Sequence, residues 1–264
     1  MEQIYYGFKK PPFSSEINTD EIFQSYDFKE AFTRLNYLKK ERGLFLLTGE
    51  PGGGKTTLLR KFLSDLNSQI YRHGYTPHAS VTRSDFYRQL SHLLGQKAKT
   101  KKSDLFIQIQ KAILDFYDNQ GKIPCIILDE CQLMDTLTLR EISLITNFEM
   151  DSRHPFILIL IAQPEFRDTL KRGIHEPLNQ RINMSYHMAG LDSKETENYI
   201  IHSLKVVGRT EPLFTKKATN LIHQMSNGLP RRIGNICKNA LIYSFKKKFR
   251  EIDEEVILKV KNGI

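Results

Sequence analysis

Long apolar runs are missing from this chain. No stretch approaches the ~18 residues that a membrane-crossing helix requires. The opening Met1-Glu2-Gln3-Ile4-Tyr5-Tyr6 has neither the basic nor the apolar region of a secretory signal. Cysteine is scarce. Cys125, Cys131 and Cys237 make no metal-ligand spacing and no even disulfide set, and Cys125 and Cys131 read as small packing residues. No internal repeat and no low-complexity tract is present. These absences set the expectation of a cytoplasmic protein without a membrane partner. Acid is the scarcer charge, with 30 Asp and Glu against 39 Lys and Arg.

What is present is a globular composition. Charged residues are 26% and hydrophobic residues 40% of 264, enough for one large or two modest domains with a real core. The segment Gly49-Glu50-Pro51-Gly52-Gly53-Gly54-Lys55-Thr56 matches the phosphate-loop pattern G-x-x-x-x-G-K-[ST] at every fixed position. The apolar run Gly43–Thr48 before it reads as a buried strand. Thr57, counted with the loop as a nucleotide contact, opens a run of helical spacing to Leu63. The glycines let backbone N–H groups wrap phosphate oxygens, and the helix aims its positive end at them. Lys55 is expected to reach the β- and γ-phosphates and Thr56 to ligate Mg²⁺.

A second apolar run, Ile123–Leu128, ends in Asp129-Glu130. This is a Walker B pattern. Asp129 is placed to hold Mg²⁺, and Glu130 to polarise an attacking water as general base. P-loop ATPases with the extra glutamate usually carry another strand between loop and Walker B, for which Tyr75–Val81 is the candidate. No Asn-Lys-x-Asp motif for reading guanine is present. ATP is the expected nucleotide.

The spacing predicts helices from about Phe28 to Arg42, from the loop to about Tyr71, over Ser84–Leu94 and Ser103–Tyr117, and near Leu137–Met150 and Glu165–Lys171. Strands are expected near Ala79, over Pro155–Ile161 and over Ile182–Met188. Met1 to Tyr26 reads as an irregular lead-in. Strands separated by helices imply a parallel sheet covered on both faces. The fold class expected is α/β: a P-loop NTPase with a five-stranded parallel sheet in residues 1–188. After Gly190 only helical patterns follow: Glu195–Val206 capped by Asp192-Ser193, then Thr215–Met225, Pro230–Phe245 and Asp253–Val260. Residues 189–264 therefore read as a small helical lid.

Positive charge is clustered. Arg231 to Arg250 holds seven Lys or Arg and no acid, including Lys246-Lys247-Lys248 between Phe245 and Phe249. Lys97, Lys99, Lys101 and Lys102 form a second cluster after Gly95. Two readings stand for each: a polyanion-binding patch, in the cytoplasm a nucleic acid, or a solvated face without a partner.

Together these motifs resemble AAA+ ATPases of the ExeA-like group, relatives of the transposition ATPases TnsC, TniB and MuB and, more distantly, of origin-binding initiators. The resemblance covers almost the whole chain. It rests on Tyr6-Gly7-Phe8 through Pro12-Phe13, Ser25 to Phe32, both Walker motifs, Ile161-Ala162-Gln163-Pro164-Glu165-Phe166, Leu178-Asn179-Gln180-Arg181-Ile182, and Gly228-Leu229-Pro230-Arg231-Arg232-Ile233-Gly234-Asn235. It implies that Gln163 is sensor one, against a plain strand-end polar residue. It implies that Arg181 is the arginine finger acting in trans, with Arg172 as competitor. It implies that Arg231 is sensor two, contacting nucleotide in cis. Tyr6, Phe8, Pro12 and Phe13 either pack around adenine or join the core.

The longer secretion-linked members of the group add a membrane segment and a cell-wall-binding domain, neither of which this sequence shows. The resemblance then favours the transposition branch: an ATP-dependent ring or helical filament on duplex DNA, non-specific in sequence, that recruits or activates a transposase. Its DNA contacts would be Arg83, Lys97, Lys99, Lys101 and Lys102. The alternatives are a secretion or envelope-assembly ATPase acting on a protein partner, and a stand-alone regulatory or defence ATPase.

Overall fold

The computed structural model describes residues 2–77 and 82–262. The chain folds as two compact units. One comprises Glu30–Gly49 and Leu58–Met188. The other gathers the segment before Glu30, the loop Glu50–Thr57, and everything from Ala189 onward.

The first unit is built on five parallel strands: β1 (Gly43–Gly49), β2 (Tyr71–Thr76), β3 (Ile123–Leu128), β4 (Ile157–Ala162) and β5 (Ile182–Met188), in the order β2-β3-β4-β1-β5. Every residue of β1 and β4 is buried, as expected of strands covered on both faces. Because side chains alternate across a strand, Leu44, Leu46, Ile126, Leu128, Leu158 and Leu160 enter one core. Their neighbours Phe45, Leu47, Ile127, Ile159 and Ile161, facing the other way, are buried as well.

The helices of this unit are α2 (Tyr26–Glu41), α3 (Lys55–Ser64), α4 (Arg83–Leu93), α5 (Lys102–Leu114), α6 (Thr136–Ile145), α7 (Phe166–Leu170) and α8 (Glu176–Arg181), with the first residues of α2 and α3 lying in the other unit. Leu35, Leu38, Leu58 and Phe62 from α2 and α3 are fully buried. Phe86, Tyr87 and Leu90 of α4, Leu105 and Ile109 of α5, and Leu139 and Ile142 of α6 pack into the Leu44–Leu160 core. Parallel strands leave their carboxyl ends on one edge of the sheet. Thr48 pairs with Ala162, and Leu128 with Leu160. The residues that follow, Gly49, Asp129 and Gln163, therefore leave the sheet at that edge, where ligands bind in open α/β folds.

Three expectations need correction. The helix after the loop stops at Ser64, not near Tyr71, because Asn67 builds a turn: its side chain accepts from Gln69 N at 2.9 Å and its carbonyl from Tyr71 N at 2.8 Å. The second strand accordingly lies at Tyr71–Thr76. The part of the expected strand at 78–81, with Ala79, lies outside the described residues. The helix at Leu137 ends at Ile145, and Glu149, Met150 and Asp151 all take left-handed φ values of 47°, 56° and 64°, which no α-helix continues through.

The second unit is helical. Its elements after the sheet are α9 (Ser193–Val206), α10 (Lys216–Ser226), α11 (Pro230–Lys247) and α12 (Glu254–Asn262). Asp192 and Glu195 form a reciprocal capping box at the start of α9, and Thr215 caps α10. The lead-in is less irregular than its sequence suggests, since α1 (Glu2–Tyr6) occupies its start. Tyr6 and Phe8 are buried with Ile200, Leu204, Ile233 and Leu241. The Tyr6 hydroxyl donates to the Leu241 carbonyl at 3.2 Å. Gly234 meets Phe13, whose Cβ lies 3.3 Å from where a glycine Cβ would project. The lead-in aromatics Tyr6, Phe8 and Phe13 thus pack with the helical core.

Candidate active site

In the phosphate loop the backbone is bent where only glycine is comfortable. Gly52 and Gly54 have φ of +83° and +101°. Gly53 N donates to Glu50 O at 3.0 Å, and Lys55 Nζ donates to the same carbonyl at 3.1 Å. That carbonyl draws the lysine head back across the loop it serves. Thr56 and Thr57 follow in the first turn of α3.

Gly52 has a second reason to be glycine. A Cβ there would lie 2.7 Å from the Cβ of Arg231, and Arg231 N donates to Gly52 O at 3.3 Å. The first turn of α11 is thus seated on the phosphate loop. Pro230 opens that helix at its first position. The approach is fixed from behind: Leu191 N donates to Gly228 O at 2.9 Å, and Gly228 N to Ser226 Oγ at 3.2 Å. A Cβ on Gly228 would fall 2.0 Å from the Leu191 carbonyl oxygen. The stretch Gly228–Arg231 delivers an arginine to the phosphate loop.

In the sheet unit, Asp129 is buried at the end of β3. Its Oδ1 accepts from Glu130 N at 2.8 Å and its Oδ2 from the Tyr75 hydroxyl at 2.7 Å. Burial and this carboxylate together push the Tyr75 phenol far above its ordinary range, so it stays a protonated donor. Glu130 sits in the left-handed region, φ 56°, ψ 38°, a conformation costly for a non-glycine residue and concentrated at functional sites. Its Oε2 accepts from Gln132 Nε2 at 2.5 Å. Gln132 Oε1 in turn accepts from Gln163 N at 3.1 Å. Tyr75 and Gln132 are the two residues sequence reasoning missed. Tyr75 would have been legible had the edge strand been placed correctly, since its register against Ile127 puts it near the end of β3.

The residues present fit a magnesium nucleotide. The loop carries glycine at both of its left-handed positions, Gly52 and Gly54, as a backbone that is to wrap phosphate requires. Among the described residues no group of three or more His, Cys, Asp or Glu side chains could hold a metal ion. A nucleotide's Mg²⁺ needs none, because one or two protein oxygens and the phosphates hold it. Thr56 in the one unit and Asp129 in the other each carry an oxygen of that kind.

Arg181 ends α8 and is half-buried. Its guanidinium is paired with Asp151 and donates to Pro177 O at 3.3 Å and Ser143 Oγ at 3.5 Å. Arg172, its competitor, is exposed ahead of the turn Gly173–His175. Lys97, Lys99 and Lys101 are exposed, and Gln108 pins their loop through Lys97 O at 2.9 Å and Lys99 N at 3.3 Å. Lys102 and Arg83 are different. Both face the buried Glu141, Lys102 in a direct ion pair and Arg83 at 3.9 Å, and the Tyr87 hydroxyl donates to the same carboxylate at 2.6 Å. Two of the five basic candidates are thus engaged within the chain. All three cysteines are buried free thiols, and burial pushes Cys125 up to about 12, as packing residues require.

A family model described as an AAA domain matches residues 38–170, just over half of the chain. The chain belongs to this AAA family. It is also 32% identical over 255 residues, 96% of its length, to General secretion pathway protein A of Aeromonas hydrophila, of which it spans 46%. Solved structures place the AAA chain in the same fold. Cdc6p of Pyrobaculum aerophilum aligns with a TM-score of 0.70 at 13% identity, covering 96% of this chain and 70% of that one. The Aeropyrum pernix ORC1 protein in complex with DNA gives 0.66 at 13%, covering 94% and 68%. The Thermotoga maritima RuvB Holliday junction branch migration motor gives 0.60 at 19%, covering 92% and 72%. The AAA P-loop fold implies nucleotide binding and hydrolysis. Among the described residues no helix is long and apolar enough to cross a membrane.

Proposed function

We propose that this AAA chain is an ATP-hydrolysing module that acts on a protein partner in secretion or envelope assembly. The observation that carries the ATPase reading is the seating of Arg231 on Gly52. A conformation-sensing arginine held against the phosphate loop has one evident ligand, the phosphates that the loop is built to cradle. In this reading Lys55 and the loop N–H groups hold the β- and γ-phosphates. Thr56 and Asp129 hold Mg²⁺, which neutralises charge on the phosphates. Glu130 accepts the proton of the attacking water, and the Gln163 amide orients that water. The partner class rests on the 32% identity to General secretion pathway protein A. The transposition branch that the family resemblance was read to favour becomes the second reading. The test is ATP turnover by the purified chain, compared with GTP, with and without a partner drawn from the envelope machinery.

The second reading, an oligomer on duplex DNA serving a transposase, draws on exposed Lys97, Lys99 and Lys101. If it holds, duplex binding is strengthened by ATP and falls steeply with salt, with a log–log slope of roughly −0.9 per phosphate contact. Replacing Lys99 and Lys101 by Glu should weaken all duplexes alike and flatten that slope. Replacing Lys102 should also destabilise the fold, because it leaves Glu141 buried with one cation fewer. Anisotropy titrations over several salt concentrations decide it. Absence of ATP-dependent binding at low salt removes the DNA reading.

Both readings use a trans arginine. If Arg181 serves a neighbouring subunit, it must first leave Asp151. Mixing Arg181→Ala with Lys55→Ala subunits should then restore hydrolysis, since a mixed interface joins one intact cradle to one intact finger. Mixtures no more active than either mutant, in oligomers that still form, would assign the role to Arg172 or to none.

A further inference from the structure

Gln132 belongs to no motif read from the sequence, yet it joins the two residues on which hydrolysis is proposed to depend. Its amide orientation is decided by its partners. Gln163 N–H can only donate, so the oxygen of Gln132 faces it, at 3.1 Å. The NH₂ then faces Glu130 Oε2, which as a carboxylate can only accept, at 2.5 Å. Both ends of one side chain are therefore committed. One is anchored to main chain at the carboxyl edge of β4, and the other holds the glutamate.

The anchor is rigid. Gln163 follows Ala162, the last residue of a fully buried strand. Gln132 lies in the turn Cys131–Leu133, tied down by Leu133 N to Glu130 O at 2.9 Å and Met134 N to Cys131 O at 3.1 Å. Cys131, buried beside it, also donates from Sγ to the Leu128 carbonyl at 3.2 Å. Glu130 itself is exposed. Without a tether its side chain would sample several rotamers from an exposed left-handed residue, and a base is effective only within hydrogen-bond reach of the proton it removes.

We propose that Gln132 is a positioning residue for Glu130, holding its carboxylate in one orientation and coupling that orientation to the end of β4. A shift of Gln163, the expected sensor at that strand end, would be passed to the base through this amide. The inference rests on the reading of Glu130 as general base and deepens it.

The test is Gln132→Met, which keeps length and bulk while removing both hydrogen bonds, compared with wild type, Glu130→Gln and the double variant in the full chain. In Gln132→Met, kcat for ATP should fall about tenfold or more, while KM and nucleotide affinity stay near wild type, because no phosphate-holding group is altered. In single-turnover assays the double variant should be no slower than Glu130→Gln alone, since Gln132 acts through the carboxylate that is already gone. Equal additional loss in the Glu130→Gln background would show that Gln132 acts elsewhere, and overturn the proposal. Wild-type kcat in Gln132→Met, with Glu130→Gln inactive, would overturn it while leaving the base assignment intact. Normal turnover in Glu130→Gln would instead remove the base assignment itself. A Gln132→Met chain that melts far below wild type would be replaced by Gln132→Leu at the same readouts. A lowered affinity with unchanged kcat in either variant would also count against the proposal.

Discussion

Lys55→Ala should abolish detectable ATP binding at micromolar nucleotide. Lys55 is the side-chain cation of the phosphate loop, and its ammonium already lies over that loop, donating to Glu50 O at 3.1 Å. In the proposed nucleotide complex it exchanges this carbonyl for phosphate oxygens carrying full negative charge. Removing one partner of such a charge-assisted pair costs about 2–5 kcal/mol, roughly 30-fold to several thousand-fold in Kd. The fold should survive, because Lys55 is only the first residue of α3, whose packing is made by Leu58, Leu59 and Phe62, and alanine is a strong helix former. Titration with a fluorescent ATP analogue measures the loss, and the melting temperature checks the fold. Unchanged affinity in a folded variant would refute the nucleotide site as assigned.

Glu130→Gln should do the opposite: bind ATP at near wild-type affinity and hydrolyse it about 100- to 10,000-fold more slowly. The change keeps shape and removes only the basic oxygen. Asp129 is unaffected, since its two oxygens are held by Glu130 N, a main-chain group, and by Tyr75. The proposed Mg²⁺ contact therefore remains, and with it the affinity. One local adjustment is expected. A glutamine amide can still offer its oxygen to Gln132 Nε2, so the tether survives the substitution. Phosphate release under saturating ATP, beside the same titration as above, separates chemistry from binding. A turnover rate close to wild type would mean that another group activates the water.

The elements that could be read from sequence are those whose signal is local. Ile123–Leu128 and Ile182–Met188 match the structure residue for residue, the first because a buried parallel strand is a bare apolar run. Asp192 was legible as a cap because a capping hydrogen bond spans three residues. The second strand was not legible. Tyr71–Thr76 contains Arg72, His73 and Gly74 and is largely exposed. Among the described residues it lies at the sheet edge and pairs only with β3, and so needs no apolar pattern. The end of α6 was missed for a related reason. Glu149, Met150 and Asp151 carry ordinary helical propensities, and their left-handed backbone is imposed by the surroundings, Asp151 being held by Arg181 thirty residues on.

By itself the sequence determined the phosphate loop, the Walker B acids, the alternation of strand and helix, and the change to helices after Gly190, because each is a pattern within one turn or one strand. Only the tertiary structure decided what those residues touch. Tyr75 reaches Asp129 across 54 positions, Gln132 reaches Gln163 across 31, and Arg231, in the first turn of α11, reaches Gly52 in the phosphate loop. It also decided that Lys102 and Arg83 serve a buried carboxylate on α6 and are not simply part of a free basic patch. Charge and hydrogen-bonding capacity are written in the residue, but a partner is chosen by the order in which strands and helices pack. That order follows from how all the apolar faces are buried at once, which no single segment encodes.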